Sequence, residues 1–310
     1  MSGLPKSVKI REVGPRDGFQ NEDETIATAD KVRLIELLGR TGLRRMEMTS
    51  FVRPDVIPQL ADAGAVLEAV TLPDDVSVSV LVPNPRGLDG ALAHRDRIDE
   101  VSVFLSASET HNEHNVNRSV AESLAGLEVV LKRAGEEGLR RVAVIATSFG
   151  CPYEGYVDPA RVREIAATLV DFGADEIGFG DTTGMANPIQ VGEFFHAARA
   201  ADGLAETELT AHFHNTRGQG LANVLAALQA GVTSFESSFG ELGGCPVPKG
   251  ATGNIASEDL VSMLEEMGVA TGIDLPRLLE ASRAVRDVLA RPLGSHTLRA
   301  GPIEWHRAGE

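Results

Sequence analysis

The chain has 310 residues, with 45 acidic side chains against 29 basic ones and a formal charge of −16, which argues against nucleic acid or an anionic membrane as a partner. No apolar run approaches the roughly 18 residues that span a bilayer, and Met1 to Ser7 is too short and polar for a secretion signal. With only Cys151 and Cys245 there is no disulfide framework, so the expectation is a cytoplasmic protein large enough for one substantial core.

Strand-like and helix-like runs alternate along nearly the whole chain. The strands are read at residues 8–13, 45–49, 76–82, 100–106, 141–147, 176–180, 209–214 and 234–239. Between them lie helical patterns such as 29–39, where Val32, Ile35, Leu37 and Leu38 form an apolar stripe, and 221–231, closed by Gly231. Eight strand and helix pairs make a TIM (β/α)8 barrel, an α/β fold of parallel strands joined by helical crossovers. The eighth helix opens at Ser257-Glu258-Asp259-Leu260, with Ser257 read as its N-cap and acidic residues in the first turn. A further helix at 275–289 exceeds a minimal barrel and suits a lid over one end or a subunit contact. The expected organisation is a barrel over 1–268 and a helical extension of the same domain over 269–310.

Active sites of such barrels sit where strands end and loops begin, so polar residues at those positions are the candidates. Leaving the first strand is Glu12-Val13-Gly14-Pro15-Arg16-Asp17-Gly18, with an arginine beside an aspartate on a turn. Glu47 lies inside the apolar second strand, and a carboxylate there is costly to bury unless paired, with Arg16 as its expected cation. Gly180-Asp181-Thr182-Thr183-Gly184 follows the sixth strand. On the seventh, Ala211-His212-Phe213-His214 puts two imidazoles on one face, because alternate strand residues share a side. The eighth runs into a loop with five glycines and the thiol of Cys245, a composition suited to a mobile lid that brings in an acid. Cys151, between Gly150 and Pro152, is read as structural.

Asp17, His212, His214 and Asn254 together offer two nitrogens and two oxygens at one barrel mouth. Imidazoles accept Zn²⁺ as well, but the carboxylate and amide favour Mg²⁺ or Mn²⁺, which are the expected ions.

These motifs resemble the 3-hydroxy-3-methylglutaryl-CoA lyase family, within a superfamily of metal-dependent barrels that includes isopropylmalate and homocitrate synthases. The resemblance runs from residue 8 to about 289. It is carried by Glu12 to Gly18, Thr49-Ser50-Phe51-Val52, Pro58-Gln59, Gly150-Cys151-Pro152-Tyr153-Glu154-Gly155, Gly180-Asp181-Thr182, His212-Phe213-His214 and Leu242-Gly243-Gly244-Cys245-Pro246. It implies Asp17, His212, His214 and Asn254 as metal ligands, and Arg16, Glu47, Asp181, His212 and Cys245 as catalytic positions. The implied reaction splits a 3-hydroxyacyl-CoA between its second and third carbons into acetyl-CoA and acetoacetate, as in leucine breakdown, with CoA entering as part of the substrate. Asp181 or His212 would take the hydroxyl proton, Arg16, held by Glu47, would steady the enolate, and Cys245 would protonate it. Family habit implies a homodimer.

Asn215 stands where the family usually has aspartate, Phe19 where it has leucine and Asp23 where it has lysine. The competing readings are an acetyl-CoA-dependent condensing synthase, a pyruvate aldolase and a non-catalytic acyl-CoA-binding barrel. Against the first, the lid here is Gly243-Gly244-Cys245 rather than a charged Gly-Glu-Arg type.

Overall fold

Eight parallel strands close into a barrel in strict sequence order, β1-β2-β3-β4-β5-β6-β7-β8. In this computed structural model, which describes residues 3–244 and 252–305, they are β1 Lys9–Glu12, β2 Arg45–Ser50, β3 Ser77–Leu81, β4 Glu100–Ser106, β5 Arg140–Ala146, β6 Glu176–Asp181, β7 Glu208–Phe213 and β8 Ser234–Ser237. The helices are α1 Thr28–Gly39, α2 Ala63–Ala69, α3 Pro85–Leu92, α4 Glu109–Val116, α5 Val120–Glu136, α6 Pro159–Asp171, α7 Pro188–Arg199, α8 Gly220–Gln229, α9 Ser257–Glu266, α10 Leu275–Leu289 and α11 His296–Ala300. Among the described residues no helix is long and apolar enough to cross a membrane.

Local chemistry starts these helices. Asn84, Ser108, Ser119, Asp158, Asn187 and Asp274 each accept a first-turn amide, and Ser119 with Glu122 forms a reciprocal capping box. The outer strand faces are apolar and pack on the helices. Phe179 of β6, for example, meets Phe194 and Phe195 of α7 edge to face, with ring centroids 4.9 and 5.7 Å away. Helix α10 packs on α1.

Two expectations are corrected. The eighth strand does not reach Phe239: past Ser237 the chain turns, because the Phe239 amide donates to Glu12 Oε1 (3.0 Å) and Gly240 takes a left-handed φ of 71°. Nor is Ser257 an N-cap. It is the first residue of α9, and its hydroxyl donates to Glu12 Oε2 (2.5 Å) beside Ser237 Oγ (2.8 Å).

The lumen departs from the branched apolar filling usual for this fold. Hydrogen bonds between non-neighbouring strands cross it, and the shortest of them are ionic. Arg45 of β2 donates from Nε to Glu100 Oε1 of β4 (3.0 Å) and from Nη2 to Glu100 Oε2 (2.6 Å) and Glu176 Oε2 of β6 (2.7 Å). Thr210 Oγ1 donates to the other Glu176 oxygen at 2.6 Å. One layer higher, Arg11 of β1 pairs with Glu236 of β8 and lies 3.9 Å from Glu100. Burial opposes charge on Glu176 and Glu236, yet the arginines beside them, Arg11 foremost, hold both carboxyls well below the usual carboxylate range.

Removing one partner from such a network strands the others without solvent. Arg45→Ala should destabilise the protein by about 3–5 kcal/mol, read as a lowered urea midpoint, whereas breaking the exposed Arg53–Asp55 pair should scarcely move it. Equal effects of the two substitutions would contradict the role given to the lumen network.

Candidate active site

The turn after β1, Gly14–Gly18, carries Arg16 and Asp17 over the C-terminal end of the barrel. It lies close against the loop after β8. A side chain at Gly14 would start 2.5 Å from the Phe239 ring and 2.7 Å from Glu12 Oε1, so only glycine fits. Arg16 pairs through Nε with Glu47, nearly buried in β2, and through Nη1 with Asp17 Oδ1 at 2.7 Å. Thus the cation expected for Glu47 is Arg16, which also makes the local pair with Asp17.

Asp17, His212 and His214 each present a ligand atom, and all three lie within 4.8 Å of one another. The two imidazoles face each other through Nε2 at 3.1 Å. Asn254 pairs with His214 through the backbone and donates from Nδ2 to Asp17 Oδ2 (2.7 Å) and to the Leu242 carbonyl (3.1 Å). Its Oδ1, fully buried, has no hydrogen-bond partner among the described residues. Gly243 closes over this group with φ 98°, and a Cβ there would sit 2.6 Å from Asn254 Nδ2 and 3.1 Å from Asp17 Oδ2.

The electrostatics suit a cation. Burial raises the cost of charge on Asp17, but Arg16, His212 and His214 outweigh it and hold the carboxyl below its ordinary value. Burial and the adjacent His212 push His214 down to about 3, so its imidazole is neutral and keeps a lone pair. One carboxylate, two imidazoles and an amide oxygen unpartnered among the described residues make a mixed O and N donor set that fits a divalent ion. A second group, Glu241, Asp259 and His296, also has the spacing for an ion. There, however, both Asp259 oxygens are taken by Ser295 Oγ (3.0 Å), His296 N (2.9 Å) and Thr297 N (2.6 Å), which start α11.

Asp181 ends β6 beside β7, where Gly180 is in register with His212. Its Oδ1 accepts the amides of Met185 (2.7 Å) and Ala186 (3.0 Å), while Oδ2 is buried with no partner among the described residues. Burial pushes its pKa up to about 7 against those two hydrogen bonds. Cys245 lies outside the described residues. Cys151 is fully buried, its thiol donating to Ser108 Oγ at 3.1 Å, and is free. Asn215 donates to Glu241 Oε1 at 3.3 Å.

Sequence reasoning missed Glu236. It accepts from His212 Nδ1 at 2.7 Å through Oε2 and pairs with Arg11 through Oε1. The signal was available, because Ser234-Phe235-Glu236-Ser237 places a carboxylate in a buried strand as Met46-Glu47-Met48 does.

A model of the HMGL-like family matches residues 7–285. The chain belongs to the HMGL-like family. It is 46% identical over 295 residues to a hydroxymethylglutaryl-CoA lyase of Bacillus subtilis, covering 95% of this chain and 97% of that one. The crystal structure of a Bacillus subtilis HMG-CoA lyase superposes with a TM-score of 0.93 at 45% identity, over 96% of this chain and 98% of the other. An HMG-CoA lyase of Acinetobacter baumannii, in complex with coenzyme A and 3-methylmalate, matches with a TM-score of 0.91 at 37% identity, over 99% and 100%.

Where β8 turns toward this loop, two buried carboxyls flank Phe239 and Gly240. Glu12 accepts the amides of Gly14 and Phe239, and Glu258 accepts that of Gly240 through both oxygens at 3.0 Å. Burial pushes Glu258 up to about 8 from 4.5. With the folded value raised, the stability Glu258 contributes is fully present below about pH 4.5 and is lost as pH climbs through 8. Glu258→Gln removes that titration, so its melting temperature should rise relative to wild type between pH 5 and 8.5. Parallel melting curves across that range would refute the assignment.

Proposed function

We propose that this protein is a divalent-metal-dependent hydroxymethylglutaryl-CoA lyase that splits 3-hydroxy-3-methylglutaryl-CoA into acetyl-CoA and acetoacetate. The observation that carries this reading is the convergence of Asp17, His212 and His214 beside the Arg16 and Glu47 pair at the strand ends of a family barrel. Mg²⁺ or Mn²⁺ held by Asp17, His212, His214 and Asn254 would supply Lewis-acid polarisation of the substrate's tertiary hydroxyl.

The remaining work belongs to side chains. Asp181 takes the hydroxyl proton: its Oδ2 is unpartnered among the described residues and its pKa lies near neutrality, as a general base requires. His212 is less suited, since Nδ1 faces Glu236 and Nε2 faces His214. As the O–H bond breaks, its electron pair forms the ketone carbonyl at C3 and the C2–C3 bond opens. That pair moves onto C2 and the thioester oxygen. Arg16, oriented by Glu47, donates hydrogen bonds to this enolate oxygen. Cys245 then delivers a proton to C2, giving acetyl-CoA and leaving acetoacetate. Two features support the substrate: the 46% identity to a hydroxymethylglutaryl-CoA lyase of Bacillus subtilis, and the coenzyme A bound to the related Acinetobacter baumannii enzyme.

The same reading includes a cytoplasmic homodimer serving leucine breakdown, with residues 269–310 as an extension of the catalytic domain over 1–268, which the packing of α10 on α1 supports. Cleavage of 3-hydroxy-3-methylglutaryl-CoA should vanish on chelation and return with Mg²⁺ or Mn²⁺. In Cys245→Ala it should fall roughly 10²–10⁴-fold with the fold intact. No cleavage by folded, metal-loaded wild type would overturn the substrate, and an unchanged rate after chelation would overturn the metal.

A further inference from the structure

An imidazole has two nitrogens, and the partner of one decides what the other can offer. His212 Nδ1 lies 2.7 Å from Glu236 Oε2, and the other oxygen of that carboxylate is paired with Arg11 in the lumen. An ionised carboxylate only accepts, so Nδ1 carries the hydrogen. In the neutral ring that a metal ion requires, the lone pair is then on Nε2, the atom 3.1 Å from His214 Nε2 within the cluster that includes Asp17. Glu236 is buried, sits in the middle of β8 and is fixed from below by an arginine that solvent does not reach. It belongs to none of the groups that would touch the ion.

We infer that Glu236 is a positioning residue for the metal centre: held by Arg11, it fixes the His212 ring and its tautomer so that Nε2 faces the ion. The inference rests on the metal-site reading above. Outer carboxylates of this kind orient a ligating imidazole and raise its basicity. Here the orienting group is anchored in the ionic lumen, so the barrel's interior network reaches the site through one side chain.

Mn²⁺ affinity, read from the free-ion electron paramagnetic resonance signal, separates this role from a merely structural one. Glu236→Gln should weaken Mn²⁺ binding roughly 10–100-fold. Glu176→Gln serves as the comparison: Glu176 is equally buried and paired with Arg45 and Arg140, but makes no contact with either histidine. It should lower the melting temperature while leaving Mn²⁺ affinity at the wild-type value. Wild-type affinity in Glu236→Gln, or the same weakening in both variants, overturns the inference. A wild type that binds no Mn²⁺ overturns the metal-site reading itself. Wild-type protein labelled with ¹⁵N-histidine and loaded with Mg²⁺ gives the answer without a substitution, should Glu236→Gln fail to fold. A proton on His212 Nδ1 supports the inference, and a proton on Nε2 overturns it.

Discussion

The structure depends on a constraint inside the barrel: charges buried in the lumen must be paired with one another. Arg45 joins Glu100 to Glu176, and Arg11 joins Glu236, one layer nearer the mouth. Taking each ion out of water costs several kcal/mol, recovered only where geometry and hydrogen bonds are good. Such a lumen gains little stability over an apolar one of the same volume. It gains orientation, because each charged side chain has one arrangement that satisfies its neighbours, and the last of them holds His212.

Above this platform, close backbone approach sets the geometry. Gly14 leaves room for the Phe239 ring and the Glu12 carboxylate, and Gly243 for the Asn254 and Asp17 side chains, so glycines let the loops after β1 and β8 pack closely. Glu12 fastens the same two loops, accepting from Gly14, Phe239 and Ser257. The Arg16, Asp17 and Asn254 group thus belongs to two chain segments far apart in sequence, joined by the Glu12 carboxylate and by the Asn254–Asp17 hydrogen bond.

Much of this was legible in the sequence. All eight strands follow from alternating runs, and the pairing of His212 with His214 follows from the two-residue period of a strand. The cost of burying a carboxylate in an apolar strand located the partner of Glu47. The same cost applies to Glu236, but Ser234, Ser237 and Ser238 make that strand look polar and hide its burial. Strand and helix ends were less legible, because distant partners decide them. Glu12 draws the Phe239 amide out of β8 and takes the hydroxyl of Ser257 that would otherwise cap α9. Neither contact leaves a local signature. The Asn254 and Asp181 oxygens that lack a partner among the described residues are likewise properties of the assembled mouth.

The central claim is that one cation sits where Asp17, His212, His214 and Asn254 meet, and anomalous diffraction from crystals grown with Mn²⁺ tests it most directly. The expected result is one strong anomalous peak within coordination distance of those four residues. A peak at Glu241, Asp259 and His296 instead, or no peak at the barrel mouth of a well-ordered crystal, would contradict it.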